Sequence, residues 1–191
     1  MTIFDSPAFE GHEAIHAFHD PHSGLKCIIA VHSTARGPSA GGCRMWGYHS
    51  DQAAIDDALR LSRAMSYKNA VADLELGGGK AVIIGDSRTQ KTPALFEALG
   101  RAIEEVGGRY WAAEDVGVSP ADLAHARKHT RYVAGLTGAQ TVKPDAIFDA
   151  QAQVFAPCAL GGVLTLETLS RLKGRVIAGE IARARIAQGR D

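Results

Sequence analysis

Net charge, long apolar runs and paired cysteines are all missing from this sequence, and each absence removes a class of function. Its 21 basic and 21 acidic side chains cancel, so nothing draws it over long range to nucleic acid or to an anionic membrane, and neither is expected as a partner. No apolar stretch reaches the roughly 20 residues that cross a bilayer. Residues Met1 to Asp5 carry neither a basic start nor an apolar run, so no secretory leader is expected. The cysteines are Cys27, Cys43 and Cys158, an odd number with no C-x-x-C spacing. That argues against a disulfide framework or a cysteine zinc site, and it suits free thiols in a reducing cytoplasm. Asparagine is nearly absent too, with Asn69 its single instance.

What is present is material for a core. Apolar residues make up 46% of 191, enough for one domain plus a fragment. Residues 13–18 and 25–31 read as strands separated by the turn Asp20-Pro21-His22-Ser23-Gly24, hence a hairpin. A Gly- and Pro-containing stretch from Ser33 to Ser50 reads as a loop. Ser50 or Asp51 then caps a helix to about Lys68, with Ile55, Leu59 and Met65 at helical spacing. Residues 81–84 form a short apolar strand. Residues 92–106 form the clearest helix, with Leu95, Phe96, Leu99, Ile103 and Val106 on one stripe and Gly107-Gly108 as its stop. A strand at 110–113 ends at Glu114-Asp115, Ser119-Pro120 opens another helix, and a short strand follows at 132–134. Strands alternating with helices give an α/β domain over residues 1–137. Residues 138–191, with strands near 154–156 and 175–178, a helix at 166–172 and a polar helix to the end, are pieces of a second α/β unit.

Three short stretches carry chemistry: Met65-Ser66-Tyr67-Lys68-Asn69-Ala70, Leu76-Gly77-Gly78-Gly79-Lys80-Ala81 and Ala113-Glu114-Asp115-Val116-Gly117. Alone, the glycine triplet reads as a plain turn, and a single Lys or Asp at the end of an element reads as solvated. Together they allow more. A lysine after three glycines lets a ligand approach closely, and burial beside a second cation such as Lys68 would lower its pKa. One lysine could then hold an anionic substrate while Lys80 and Asp115 exchange protons.

In order and wording these stretches resemble the leucine, valine and phenylalanine dehydrogenases. Asp20 to Lys26, Gly37 to Trp46 and Gly79 to Gly85 extend the resemblance from about His12 to Gly135 almost without gaps. The resemblance implies the substrate-binding and oligomerisation domain of an amino acid dehydrogenase, followed by a remnant of a Rossmann-type domain. It implies that Lys68 holds the substrate α-carboxylate, that Lys80 assists the water attacking an imine carbon, and that Asp115 exchanges protons with the substrate nitrogen. It places Gly41, Gly42 and Met65 in the pocket lining. The implied reaction is reversible oxidative deamination of an apolar L-amino acid, such as leucine, valine or phenylalanine, to the 2-oxo acid and ammonia with NAD. The implied setting is a cytoplasmic homo-oligomer.

The departures from that pattern are as informative. The G-x-G-x-x-G fingerprint of dinucleotide binding is absent: Gly77 and Gly79 are spaced for it, but Val82 stands at the third position. Pro144 to Asp149, Phe155 to Gly161 and Lys173 to Gly179 resemble later parts of the family's nucleotide domain, so its first βαβ unit is missing between about Gly138 and Pro144. With Asn69 the only asparagine, the family's Asn-containing loop near the nicotinamide cannot lie elsewhere in these residues. Poor NAD binding and weak or absent activity are therefore expected of this chain on its own. The alternative is a non-enzymatic amino-acid-binding or oligomerising subunit, one whose partner is a full-length paralogue. Ala40 and Ala134 replace larger or polar family residues without adding charge, which favours an apolar substrate over glutamate. One rival motif, His12-Glu13-Ala14-Ile15-His16, spells the zinc word H-E-x-x-H, but Gly11 and Asp20-Pro21 leave little room for the helix it needs.

Overall fold

The structure, a computed structural model, describes residues 3–134, 145–151, 154–155, 165–173 and 176–177. The chain divides into two compact units, Met1–Leu136 and Thr137–Asp191. Unit one is built on five strands: β1 (Ala14–Asp20), β2 (Leu25–Ser33), β3 (Ser39–Trp46), β4 (Gly77–Ile84) and β5 (Tyr110–Glu114). Their order in the sheet is β1-β2-β4-β3-β5. The hairpin β1–β2 and the pair β2–β4 are antiparallel, whereas β3 runs parallel to both β4 and β5.

Three helices join these strands: α1 (Asp51–Val71), α2 (Pro93–Glu105) and α3 (Pro120–Ala126). The step from β3 to β4 moves one way across the sheet, and the step from β4 to β5 moves back past β3. Right-handed crossovers therefore put α1 and α2 on opposite faces. Strand alternation then divides the side chains into two cores. Ile28, Ala30 and Val82 pack against Ala54, Ala58 and Leu59 of α1. Cys27, Ile29, Cys43, Met45, Ile83 and Tyr110 pack against Phe96, Leu99, Ile103 and Leu123 on the other side. Each helix starts on the side-chain cap that its sequence announces: Ser50 accepts from Ala53 N–H, Thr92 from Leu95 N–H and Ser119 from Asp122 N–H. The stripe of α2 is buried as its spacing requires, and Gly107 and Gly108 end it at positive φ, 68° and 81°.

Several expectations need correction. The stretch from Ser33 to Ser50 is not all loop, because its middle is β3, which is hydrogen-bonded on both edges. The triplet Gly77-Gly78-Gly79 is not a turn but the first three residues of β4. The strand expected at 132–134 reduces to one bridge between Val133 and Ala112. His12 is buried, with Nε2 3.0 Å from the Leu59 carbonyl and 3.1 Å from Ser62 Oγ. It precedes β1, and His16 lies within β1, so the two share no helix face and the zinc reading fails on geometry.

In unit two, β6 (Val154–Phe155) and β7 (Val176–Ile177) pair in parallel, and α4 (Leu166–Arg171) is capped by Thr165. Arg171 forms ion pairs with Asp145 and Asp149. The expected polar C-terminal helix, Cys158 and the Gly138–Pro144 junction lie outside the described residues.

Candidate functional site

The site forms where α1 stops covering the sheet. That helix packs over β2 and β4, reaching β3 only lightly. On the same face β3 and β5 present Ala40, Gly42, Trp111 and Ala113, and Trp111 is 40% exposed. Lys80 is in the middle of β4 on this face, and Asp115 follows the last residue of β5.

These two residues meet. Lys80 Nζ donates to Asp115 Oδ2 at 2.6 Å, although Lys80 as a whole is only 5% exposed. Gly42 makes the approach possible. A Cβ there would lie 2.6 Å from Asp115 Cβ and 3.1 Å from Lys80 Nζ. Gly41 is pressed between the Gly79 carbonyl and Met65, whose Cγ would stand 3.2 Å from a Cβ at this position. Lys80, Asp115, Gly41, Gly42 and Met65, singled out from the sequence, thus converge. Lys68 lies on the last turn of α1, half-buried. The next residue, Asn69, ties that turn to the sheet by donating from its side-chain amide to the carbonyls of Ala40 and Gly77.

Sequence reasoning gave no role to three residues that complete the site. Arg44, on the same face of β3 as Gly42, donates from Nε to Asp115 Oδ2 at 3.0 Å and from its terminal nitrogen to Asp57 of α1 at 2.9 Å. Tyr48 donates to the same Asp57 oxygen at 2.6 Å. Tyr110, fully buried, fills a gap in the sheet. The β3–β4 pairing stops at Ala40 and resumes at Cys43. The Tyr110 hydroxyl accepts from Ala81 N–H at 3.0 Å and lies 3.1 Å from both the Gly41 and Gly42 carbonyls. The available signal for Arg44 was its position two residues beyond Gly42, hence on the same strand face. Nothing local marked Asp57 as its partner.

The electrostatics follow from this packing. Burial pushes the Lys80 amine down from its ordinary value, more than the Asp115 carboxylate restores, and Arg44 adds to the depression. Burial alone would raise the Asp115 carboxyl, but the Lys80 ammonium, the Val116 amide and Arg44 together hold it low. The Asp57 carboxyl is likewise low: hydrogen bonds from Tyr48 and Arg60 and the charge of Arg44 outweigh its burial. Burial lifts the Cys43 thiol to about 12, so that cysteine is inert beside the site.

Asp115 and Asp57 have folded values below the usual 3.8, so the unfolded chain takes up their protons first as pH falls. The stability they contribute is present above that value and is lost as pH drops toward the lowered ones. Urea midpoints should therefore hold to about pH 5 and fall steeply below about pH 4. Unchanged midpoints down to about pH 3 would contradict the assignment.

A dinucleotide would need a turn with fingerprint glycines leading into a helix whose first amides are open to a pyrophosphate. Among the described residues α1, α2, α3 and α4 each begin with an amide already bonded to Ser50, Thr92, Ser119 or Thr165. Proline follows that cap in α2 and α3, and no helix follows glycines at the fingerprint spacing. These residues do not fit NAD.

Residues 12–132 match the family model described as Glu/Leu/Phe/Val dehydrogenase, dimerisation domain. The leucine dehydrogenase of Thermoactinomyces intermedius is 36% identical over 258 residues, spanning 94% of this chain and 70% of the relative. The phenylalanine dehydrogenase of Caldalkalibacillus thermarum is 50% identical over 125 residues, 65% of this chain and 34% of the relative. Among solved structures, L-tryptophan dehydrogenase from Nostoc punctiforme matches with TM-score 0.64 and 40% identity, over 73% of this chain and 39% of that one. The hetero-hexameric glutamate dehydrogenase from Thermus thermophilus shares the fold, with TM-score 0.58 at 21% identity over 72% of this chain and 38% of its own. Since 94% of 191 residues is about 180, an alignment of 258 positions leaves a long internal stretch of the leucine dehydrogenase without a counterpart here.

Proposed function

Since the chain belongs to the Glu/Leu/Phe/Val dehydrogenase family, we propose that its Lys80–Asp115 cleft binds an apolar L-amino acid and the matching 2-oxo acid. The observation that carries this reading is the buried lysine–carboxylate pair, 2.6 Å apart, at a wall left open by Gly42. Lys68 captures the α-carboxylate, Asp115 faces the substrate nitrogen, Lys80 handles the proton of a water at the α-carbon, and Gly41, Gly42 and Met65 line the pocket. Ala40 adds no charge, which suits an apolar side chain. The family reaction is oxidative deamination with NAD. In this chain alone it is weak or undetectable, because the fingerprint is missing and the described helix starts do not suit a pyrophosphate.

The second reading is a non-enzymatic amino-acid-binding subunit, favoured by that same missing fingerprint. Both readings are compatible with a cytoplasmic homo-oligomer, at least a dimer, or with assembly on a full-length paralogue. The match to a dimerisation domain supports such assembly.

Calorimetric titration separates these possibilities. L-Leucine or 4-methyl-2-oxopentanoate should saturate, and Lys68→Ala should weaken that binding by about 10-fold or more, the loss of a charge-assisted contact. NAD should give no saturating heat. An absence of heat with both organic acids would overturn the reading, whereas tight NAD binding would restore full dehydrogenase function to this chain.

A further inference from the structure

We propose that unit one carries a second binding site, an apolar slot on the β1 side of α1, and that it takes a monocarboxylate with a straight apolar tail. The Lys80–Asp115 cleft opens on the other side, over β3 and β5, so the two sites share only the helix between them. The slot encloses about 490 Å³, within the roughly 300–1,000 Å³ of small-molecule sites. Strand alternation puts its floor on the α1-facing side of the hairpin and of β4: Ile15 and Ala17 of β1, Ile28 of β2 and Ile84 of β4. Ile55 of α1 forms a wall, and Ile3 completes the lining. Ile15, Ile55 and Ile84 are buried only in part, each with one side against the smaller core and the other toward the slot. Ile3 is held there by its own segment. Ser6 Oγ donates to Asp56 of α1 at 2.6 Å, Phe4 packs edge to face on Phe9, and His12 is fixed 3.0 Å from the Leu59 carbonyl. The lining is therefore part of the fold.

The polar groups are gathered at one end. His19 and Lys26 are cross-strand partners in the hairpin, and both line the slot. An exposed lysine is ordinarily no more than solvated. Here its ammonium stands at the rim of an apolar space, and among the described residues neither side chain has a hydrogen bond or an ion pair. Asp51 lies on the α1 rim, in the first turn of the helix, where the positive end of the helix offsets its charge. The mouth thus offers an unspent cation, and the floor behind it is apolar as far as Ile15. From His19 to Ile15 is roughly 13 Å of strand at about 3.3 Å per residue, room for a tail of about eight carbons. An apolar amine would meet Lys26 and His19 with like charge, and an alcohol would forgo the charge-assisted contact. A carboxylate satisfies both ends.

Calorimetric titration of the intact chain with octanoate tests the site. Binding should saturate at one octanoate per chain, and each methylene added from butanoate to octanoate should tighten it about 3-fold. Octylamine should bind at least about 10-fold more weakly than octanoate, and Lys26→Met should weaken octanoate by about 10-fold. Ala17→Phe adds a ring at an exposed strand position that suits a large side chain; it should fill the slot and remove binding. Lys68→Ala, in the amino-acid cleft, should leave octanoate binding unchanged, which keeps this outcome separate from that of the cleft. Circular dichroism establishes that each variant is folded. Octanoate binding that survives in folded Ala17→Phe, or that is lost in folded Lys68→Ala, overturns the proposal. So does octylamine binding as tightly as octanoate. If octanoate binds only as it dissociates an oligomer in sedimentation, a second copy of the chain fills the slot and the proposal also fails.

Discussion

Gly78→Ala should be among the most damaging single methyl groups that can be added to this protein. Gly78 lies in β4 directly beneath α1, and a Cβ there would run into the backbone nitrogen and hydroxyl of Ser66 and stand 2.5 Å from the Ser62 carbonyl. The nearest obstacles are helix backbone rather than the end of a flexible side chain, so α1 must lift or β4 must sink. Neither is free to move. β4 is paired on both edges, and α1 is held by Leu59 in the core and by Asn69 on the strand carbonyls. Overpacking of this kind costs about 3 kcal/mol or more, a large share of the roughly 5–15 kcal/mol that holds a domain together. The melting temperature should fall by on the order of 10 °C. Because Lys68 and Met65 are carried on the same helix, amino-acid binding should weaken in whatever fraction stays folded. Gly47→Ala is the control, since no atom lies within 4 Å of a Cβ there, and it should change stability by less than about 0.5 kcal/mol. Equal melting curves for the two variants would mean that α1 does not lie on β4 as described.

The same glycines explain why half of this sheet was illegible in the sequence. Elements that declare themselves locally were read well: the hairpin from its turn, α2 from its stripe, and α1 and α3 from Ser50 and Ser119. β3 and the first three residues of β4 carry no such mark. Ser39-Ala40-Gly41-Gly42 and Gly77-Gly78-Gly79 have low strand propensity and turn-like composition. They are strands because β2, β5 and the Tyr110 hydroxyl supply hydrogen bonds from outside and because close approach of α1, Met65 and Asp115 excludes larger residues. In β3 the alternation was present but faint, with Ser39, Gly41, Cys43 and Met45 buried.

The site divides in the same way. Lys80 and Asp115 were recognisable because the words around them resemble a family, not because either residue type is unusual. Arg44 stood within one of those words and still went unassigned, because its meaning lies in two partners, Asp115 71 positions away and Asp57 13 positions away on a helix. Pairings between elements are set by the crossover geometry, which no local window contains. His12 shows a different gap. The motif around it was set aside as a metal site, but nothing in the sequence marked its burial against the Leu59 carbonyl and Ser62 of α1.

Asp115→Asn should destabilise the protein by about 3 kcal/mol, the cost of removing one partner from a buried ion pair. The carboxylate is only 11% exposed and is shared by two cations, Lys80 at 2.6 Å and Arg44 at 3.0 Å. An amide leaves those cations facing each other with little water. Arg44 keeps Asp57, but among the described residues Lys80 pairs with Asp115 alone, and its escape is to release its proton. The deficit should therefore depend on pH with a definite sign. Losing the carboxylate lowers the folded pKa of Lys80 further below its ordinary 10.5. Between those two values the unfolded chain holds the proton and the folded one does not, so the stability of the variant rises with pH across that window. At neutral pH and below it the full penalty remains. A second substitution separates charge from shape. Lys80→Met in the Asp115→Asn background removes the stranded amine and fills its volume, so the double variant should be more stable than Asp115→Asn alone, with a coupling of about 2 kcal/mol in the cycle. Urea denaturation of the four proteins at neutral and alkaline pH measures all of this. Additive effects, or an Asp115→Asn deficit that does not shrink as pH rises, would mean that Lys80 and Asp115 do not form the buried pair on which the proposed binding cleft rests.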